Sequence, residues 1–237
     1  MSLVALTSLS PSPDAGERQR FCLKSWRRAG LQVVSLNHPL ESEAVSGYGA
    51  HVLQVENTGF AQYGRHVVPL NQFINLIASV NEPALIINAD NELRVTAEQV
   101  AHLSELAQVG VPMFAKVHHD ADGGNACVEP AGFDAFLLSP RHAHLYAESF
   151  LSLGQPWWDY WLPWMIRESG DPLFLPHEPV AFHLRHPGGW DWRTWNMGAV
   201  ELARLTGLDA GADVHARSRL SSAVYDAIAK HSTRVHL

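Results

Sequence analysis

The triplet Asn88-Ala89-Asp90 directly follows the apolar run Ala84-Leu85-Ile86-Ile87. A run without polar alternation reads as a strand covered on both faces, and parallel sheets of such strands bind ligands at their carboxyl edge. Strand side chains alternate, so Asn88 and Asp90 share a face and could offer two oxygens to a hard divalent cation beside phosphate oxygens. The same residues also suit a plain turn after a strand. Farther on, Trp157-Trp158-Asp159-Tyr160-Trp161 sets a carboxylate among large rings. Apolar surroundings disfavour its charge and raise its pKa, which suits a general base. Glu148 and Asp134 are the secondary candidates. On a helix Trp157, Trp161 and Trp164 share a face; Trp161 reads as core, whereas Trp157 and Trp158 suit the face of a sugar. Imidazoles gather in His118-His119 and in His183-Leu184-Arg185-His186, neither in a closed zinc spacing, so each is open between metal ligand and surface residue. Arg65, after Gly64, offers a bidentate donor set for phosphate, or is a solvated loop residue.

The elements that must hold these groups follow from periodicity and punctuation. Strands are predicted at Leu3–Leu9, Leu31–Leu36 ending on Asn37, His51–Val55 and Ala84–Ile87. An amphipathic helix spans Glu17–Ala29 and closes at Gly30. Pro69 suits the first position of a helix carrying Leu70, Phe73, Ile74, Ile77 and Ala78 on one face, ended by Pro83. Thr96 and Gln99 form a capping-box pattern for a helix through Leu106, followed by a strand Val111–Val117. Thereafter Phe133–Leu138 is a strand, Ser139-Pro140 and Pro156 each open a helix, Phe174–Pro176 and Val180–Leu184 are strand-like, and the tail from Gly198 is helical. This βαβα rhythm predicts a three-layer α/β/α sandwich around a mostly parallel, mixed sheet, as one domain over residues 1–237.

Composition narrows the classes. The 237 residues are 46% hydrophobic and 17% charged, which excludes a disordered chain. A formal net charge of −7 disfavours nonspecific nucleic-acid binding, although a local basic pocket for a diphosphate remains compatible with it. Two cysteines, Cys22 and Cys127, do not make a disulfide framework and suit a reducing compartment. No stretch approaches the roughly 20 apolar residues of a membrane span. With no basic, apolar leader at the N-terminus, the expected location is cytoplasmic.

The order of elements over roughly residues 1 to 190 resembles the GT-A nucleotide-sugar glycosyltransferases, family 2-like. The likeness rests on a first strand ending in Thr7-Ser8-Leu9, a helix, a second strand ending in Asn37, and a D-x-D-like triplet after a later buried strand. It implies transfer of a sugar from a nucleoside-diphosphate sugar to a carbohydrate or other hydroxyl acceptor, assisted by Mn²⁺ or Mg²⁺. Residues 1–117 would form the nucleotide half, 118–197 the acceptor half and 198–237 a helical tail. Thr7, Ser8, Asn37, Arg65, Asn88, Ala89 and Asp90 match positions that hold the nucleotide sugar. Asp90 matches the metal-binding carboxylate, joined by His183 or His186, and Arg185 is an alternative counter-charge for the diphosphate. Asp159 matches the acceptor base of inverting members, Trp157 and Trp158 lie on the acceptor side, and Gly188-Gly189-Trp190 suits a lid. The chain departs from the pattern at Asn88, where the family commonly has Asp, which puts the strength of metal dependence in question. A non-catalytic nucleotide-sugar binding module of the same fold is therefore an alternative. A nucleotidyltransferase is another, weakened by the lack of a glycine-rich loop after the first strand.

Overall fold

The computed structural model describes residues 3–119, 127–186 and 191–237, the side chains of 127–131 excepted. Asp120 and the glycine-rich segment Gly188-Gly189-Trp190 lie outside the described residues. The chain opens with β1 (Val4–Thr7), α1 (Pro13–Arg28), β2 (Gln32–Asn37), α2 (Pro39–Val45) and β3 (His51–Gln54). It continues through α3 (Phe60–Tyr63), α4 (Leu70–Val80), β4 (Ala84–Ile87), β5 (Asn91–Leu93) and α5 (Ala97–Leu106). Then follow β6 (Val111–His119), β7 (Cys127–Leu138), a 3-10 turn at Pro140–Leu145, α6 (Trp158–Ser169), β8 (Leu173–Pro176), β9 (Ala181–Leu184), α7 (Trp192–Thr206), α8 (Val214–His231) and β10 (Thr233–Val235).

The strands form one mixed sheet in the order β10-β8-β6-β7-β4-β1-β2-β3, with β9 beside the end of β6 and β5 beside β9. Most pairings are parallel; β4 with β7, β6 with β7 and β5 with β9 are antiparallel. Helices cover both faces, as the unbroken apolar runs require. On one face Leu6, Ile86 and Phe136 pack under Phe73 and Ile77 of α4, Trp161 of α6 and Ile228 of α8. On the other, Ala5, Leu85, Ile87 and Phe114 pack under Leu23 and Trp26 of α1 and Val100 and Leu103 of α5. The fold is thus the expected α/β/α sandwich with a mixed, mostly parallel sheet.

Local chemistry explains most boundaries. The Thr96 hydroxyl accepts from the Gln99 N–H while the Gln99 side chain accepts from the Thr96 N–H, so both halves of the α5 capping box form. Pro69 sits one residue before α4, at its N-cap, and α4 ends with Asn81 at φ 55° before Pro83 is reached. Helix α1 starts earlier than its periodicity indicated, because Pro13 itself supplies the first turn. The proposed helix after Ser139 is a short 3-10 turn. β5 and β10 are too short to carry periodicity and exist through their partners β9 and β8. Among the described residues, no helix is long and apolar enough to cross a membrane.

Candidate functional site

Strands β1, β2 and β4 run parallel, so their carboxyl ends lie on one edge of the sheet. A cleft of about 790 Å³ opens there, within the usual range for small-molecule sites. Its walls include Ser8, Arg18, Arg65, Asn88, Ala89, Asp90, Lys116, Asp134, Trp157, Asp159, His183 and His186.

Asp90 leaves β4 and enters β5, whose first residue Asn91 is paired with His183 of β9. The Leu184 N–H donates to the Asp90 carbonyl at 3.0 Å. This antiparallel ladder closes a gap of more than ninety positions in sequence and delivers both histidines to one carboxylate. His186 Nε2 lies 2.8 Å and His183 Nε2 3.5 Å from Asp90 Oδ2. Helix α1 fixes β5 from below: Trp26 Nε1 donates to the Asn91 carbonyl at 2.7 Å, and the Leu93 N–H donates to the Ser25 hydroxyl at 2.9 Å. Burial pushes the Asp90 carboxyl up, but the hydrogen bonds and charges of the two histidines outweigh it and hold the group well below the usual carboxylate range.

One ligand atom from each of Asp90, His183 and His186 lies within 4.8 Å of the others. One carboxylate oxygen and two imidazole nitrogens form a donor set suited to a first-row divalent ion, so the residues fit a cation. His118 lies edge-on to His183 with ring centres 4.9 Å apart, at the rim of the same group. Arg185 is exposed and does not line the cleft.

Asn88 lines the cleft and is tied to β7. Its amide donates to Asp134 Oδ1 at 3.3 Å, across the β4–β7 ladder. Asp134 occupies a bulge: Phe114 pairs with Ala135 and the next residue, Ala115, with Phe133, so position 134 is the extra residue in β7. Asn at position 88 thus suits its local surroundings. A second carboxylate at that distance from Asp134 would repel it, whereas an amide satisfies it.

Asp159 stands in the first turn of α6 and lines the same cleft. It accepts from its own N–H and from that of Phe133. Burial, with the nearby charge of Asp134, raises its pKa from 3.8 to about 7, against the opposing pull of Lys116. Preceding it, Trp157 holds φ at 79°, a conformation costly for a bulky residue. Its Nε1 donates to the Trp195 carbonyl at 2.7 Å and its ring packs on Trp195 and Tyr160. Trp157 and Trp158 are 1% and 2% exposed, so they reach the cleft only by their edges and act chiefly as wall. Trp161 is fully buried core.

On the remaining side, Arg65 donates to Gln155 Oε1 at 2.9 Å at the cleft margin. Ser8 lines the cleft. Thr7 and Asn37 do not, contrary to the sequence expectation; both are fully buried. Asn37 takes the Leu9 N–H at 3.4 Å and donates to the Leu9 carbonyl at 2.7 Å, which shapes the turn that presents Ser8. Glu148 is also outside the cleft lining, whereas Asp134 is within it.

The sequence reading passed over Arg18, Lys116, Gln155 and Trp195, which all line the cleft. Lys116 and His118 alternate on one face of β6, a period-two signal that could have found them. Arg18 lies on a helix whose periodicity marks only the core-facing side.

No family model and no curated protein matches the chain by sequence. Solved structures similar to it include a protein described as a glucose-1-phosphate thymidylyltransferase, from Bacillus anthracis, 10% identical over 90% of this chain and 97% of that one, TM-score 0.42. A transferase of Thermus thermophilus described as hypothetical is 13% identical over 100% and 93%, TM-score 0.41. The glycosyltransferase GlyE of Streptococcus pneumoniae is 12% identical over 94% and 64%, TM-score 0.35.

Proposed function

We propose that the protein is a cation-assisted glycosyltransferase acting on a nucleoside-diphosphate sugar. The observation that carries this reading is the arrangement of two unlike groups on one cleft. The Asp90–His183–His186 cluster and a carboxyl of raised pKa, Asp159, line the same cleft. A divalent ion at the cluster would neutralise a diphosphate and ease its departure. Ser8, Asn88, Ala89 and Arg65 border the volume in which the donor would lie, with Asn37 holding the Leu9 backbone of the turn beside Ser8. Arg18 and Lys116 add positive charge to the same walls. Asp159 takes the proton of the acceptor hydroxyl, and an acid group with a pKa of about 7 is half in its basic form at neutral pH. The edges of Trp157 and Trp158 border the acceptor side, with the ring of Trp195 beside them.

The test is turnover of a panel of nucleotide sugars with and without Mn²⁺ or Mg²⁺, with product analysis. Transfer predicts a free nucleoside diphosphate plus a glycoside, dependent on the ion and lost in Asp90→Ala. Nucleotidyl transfer would consume a sugar phosphate and a nucleoside triphosphate instead. Binding of the diphosphate without turnover, unaffected by Asp159→Ala, would make the chain a binding module.

A further inference from the structure

Trp157 and Trp158 are almost wholly buried and offer the cleft only their edges. The open aromatic face lies elsewhere. Trp192, at the start of α7, is 62% exposed, more than any other Phe, Tyr or Trp among the described residues. An indole left in water forgoes the gain of burial. Other exposed large apolar residues, such as Phe21, Leu40 and Val80, sit singly on separate helices, which is ordinary for a surface. Trp192 is not single. Its ring stands edge-on to that of Trp195, with centres 5.5 Å apart and planes at 82°. Trp195 lines the cleft and packs in turn on Trp157, with centres 4.9 Å apart. One line of rings thus runs from the buried wall through the cleft to the surface.

These rings are held before any ligand arrives. Asp191 caps α7, its carboxylate accepting from the Thr194 N–H at 2.8 Å. Trp157 Nε1 donates to the Trp195 carbonyl at 2.7 Å. A Cβ at Gly198 would lie 2.6 Å from the Trp157 ring, so glycine lets α7 approach this closely. From α8, Arg217 donates to Asn196 Oδ1 at 2.6 Å. Rings on a helix pinned in this way lose little freedom on binding. Chemistry selects the ligand. An aromatic face carries partial negative charge and attracts the C–H-rich face of a sugar ring, whose rim hydroxyls need polar neighbours. Exposed Asp191 and Arg193 flank Trp192 and meet that need. A lipid surface would need a cluster of exposed apolar groups, and the other large one on α7 is Val200, about two turns away.

We propose that Trp192 and Trp195 form a saccharide subsite beyond the reacting centre. The acceptor is a chain of two or more sugar units, with its terminal unit in the cleft and the next unit on the Trp192 face. Ring planes at 82° make a corner, so the chain bends as it leaves the cleft. The role of this saccharide as acceptor rests on the transferase reading; the contact itself rests on the rings.

The experiment is fluorine NMR of the full chain labelled with fluorotryptophan, without metal or donor. The Trp192 and Trp195 signals are identified by their loss in Trp192→Phe and Trp195→Phe. Maltose, cellobiose, lactose, chitobiose and the matching methyl monoglycosides are the probes, each titrated until the signals saturate or solubility ends the series. At least one disaccharide shifts both signals saturably and binds more tightly than its monoglycoside. Trp192→Ala then weakens that disaccharide roughly fivefold, the worth of one stacked ring, and weakens the monoglycoside less. Trp192→Phe, which keeps a ring face, restores most of the affinity. A Trp192 signal that no disaccharide moves overturns the proposal, as does equal weakening of disaccharide and monoglycoside. A signal moved instead by phosphatidylcholine–phosphatidylglycerol vesicles, or by dilution of the protein alone, overturns it in favour of a lipid surface or a second copy. Should Trp195→Phe fail to fold, the Trp192 signal decides alone. Disaccharide binding without nucleotide-sugar turnover keeps the subsite and removes the transferase. Turnover onto a non-saccharide hydroxyl with a silent Trp192 does the reverse.

Discussion

Replacing Asp159 with Asn should make the protein more stable, and increasingly so as the pH rises. The ordinary carboxyl value is 3.8 and that of Asp159 in the fold is about 7. Below the lower value the carboxyl is protonated in both folded and unfolded states and contributes nothing to pH dependence. Between the two, the unfolded chain has released its proton while the folded chain holds it, so the unfolded state binds fewer protons and stability falls with rising pH. Above about 7 the full penalty is present. At about 1.4 kcal/mol per pH unit the ceiling is roughly 4 kcal/mol. Asp159 is partly accessible from the cleft, so solvent screening brings the expectation to about 2 kcal/mol. Asparagine has no charge to bury and keeps an oxygen for the N–H groups of Asp159 and Phe133. Thermal unfolding of metal-free wild type and Asp159→Asn at pH 4, 6 and 8 reads the difference. For a chain of this size about 2 kcal/mol corresponds to a Tm gap of roughly 4–8 °C, open at pH 8 and closed at pH 4. Parallel curves at all three pH values would refute the argument that Asp159 holds its proton in the fold.

Other outcomes follow from single contacts. Mn²⁺ should raise the Tm of the wild type, by an amount equivalent to about 2.7 kcal/mol at a hundredfold excess over Kd. Asp90→Ala should abolish that rise in the same melt, because its carboxylate supplies the oxygen that faces both histidines. Asn88→Asp should destabilise the fold by about 1–3 kcal/mol at pH 8 and by much less at pH 4, through repulsion of Asp134; urea unfolding at the two pH values checks it. Trp157→Ala should cost about 3–5 kcal/mol for the lost buried ring, and Trp157→Gly should be the milder change by about 1 kcal/mol. That inverts the usual ranking because φ is 79° at this position, and equal urea midpoints for the two variants would argue against it.

Local physics was written into the sequence wherever a few neighbouring residues decide the outcome. The unbroken apolar run before Asn88, the Thr96–Gln99 box, Pro69 and Pro156 placed a strand and three helix starts within one or two residues. The rise in the Asp159 pKa was also foreseeable, since aromatic neighbours in sequence are neighbours in space on a helix. What the chain order hid was the partner and register of particular strands. β5 is three residues with no period of its own, yet its ladder with β9 carries His183 and His186 to Asp90. The bulge that turns Asp134 toward Asn88 exists only in the register of β6 against β7. Thr7 and Asn37 end strands just as cleft residues do, and only packing shows them fully buried. Sequence periodicity reports which face of an element is buried; it carries no information on which distant strand lies alongside, because that choice is made by the summed contacts of the whole sheet.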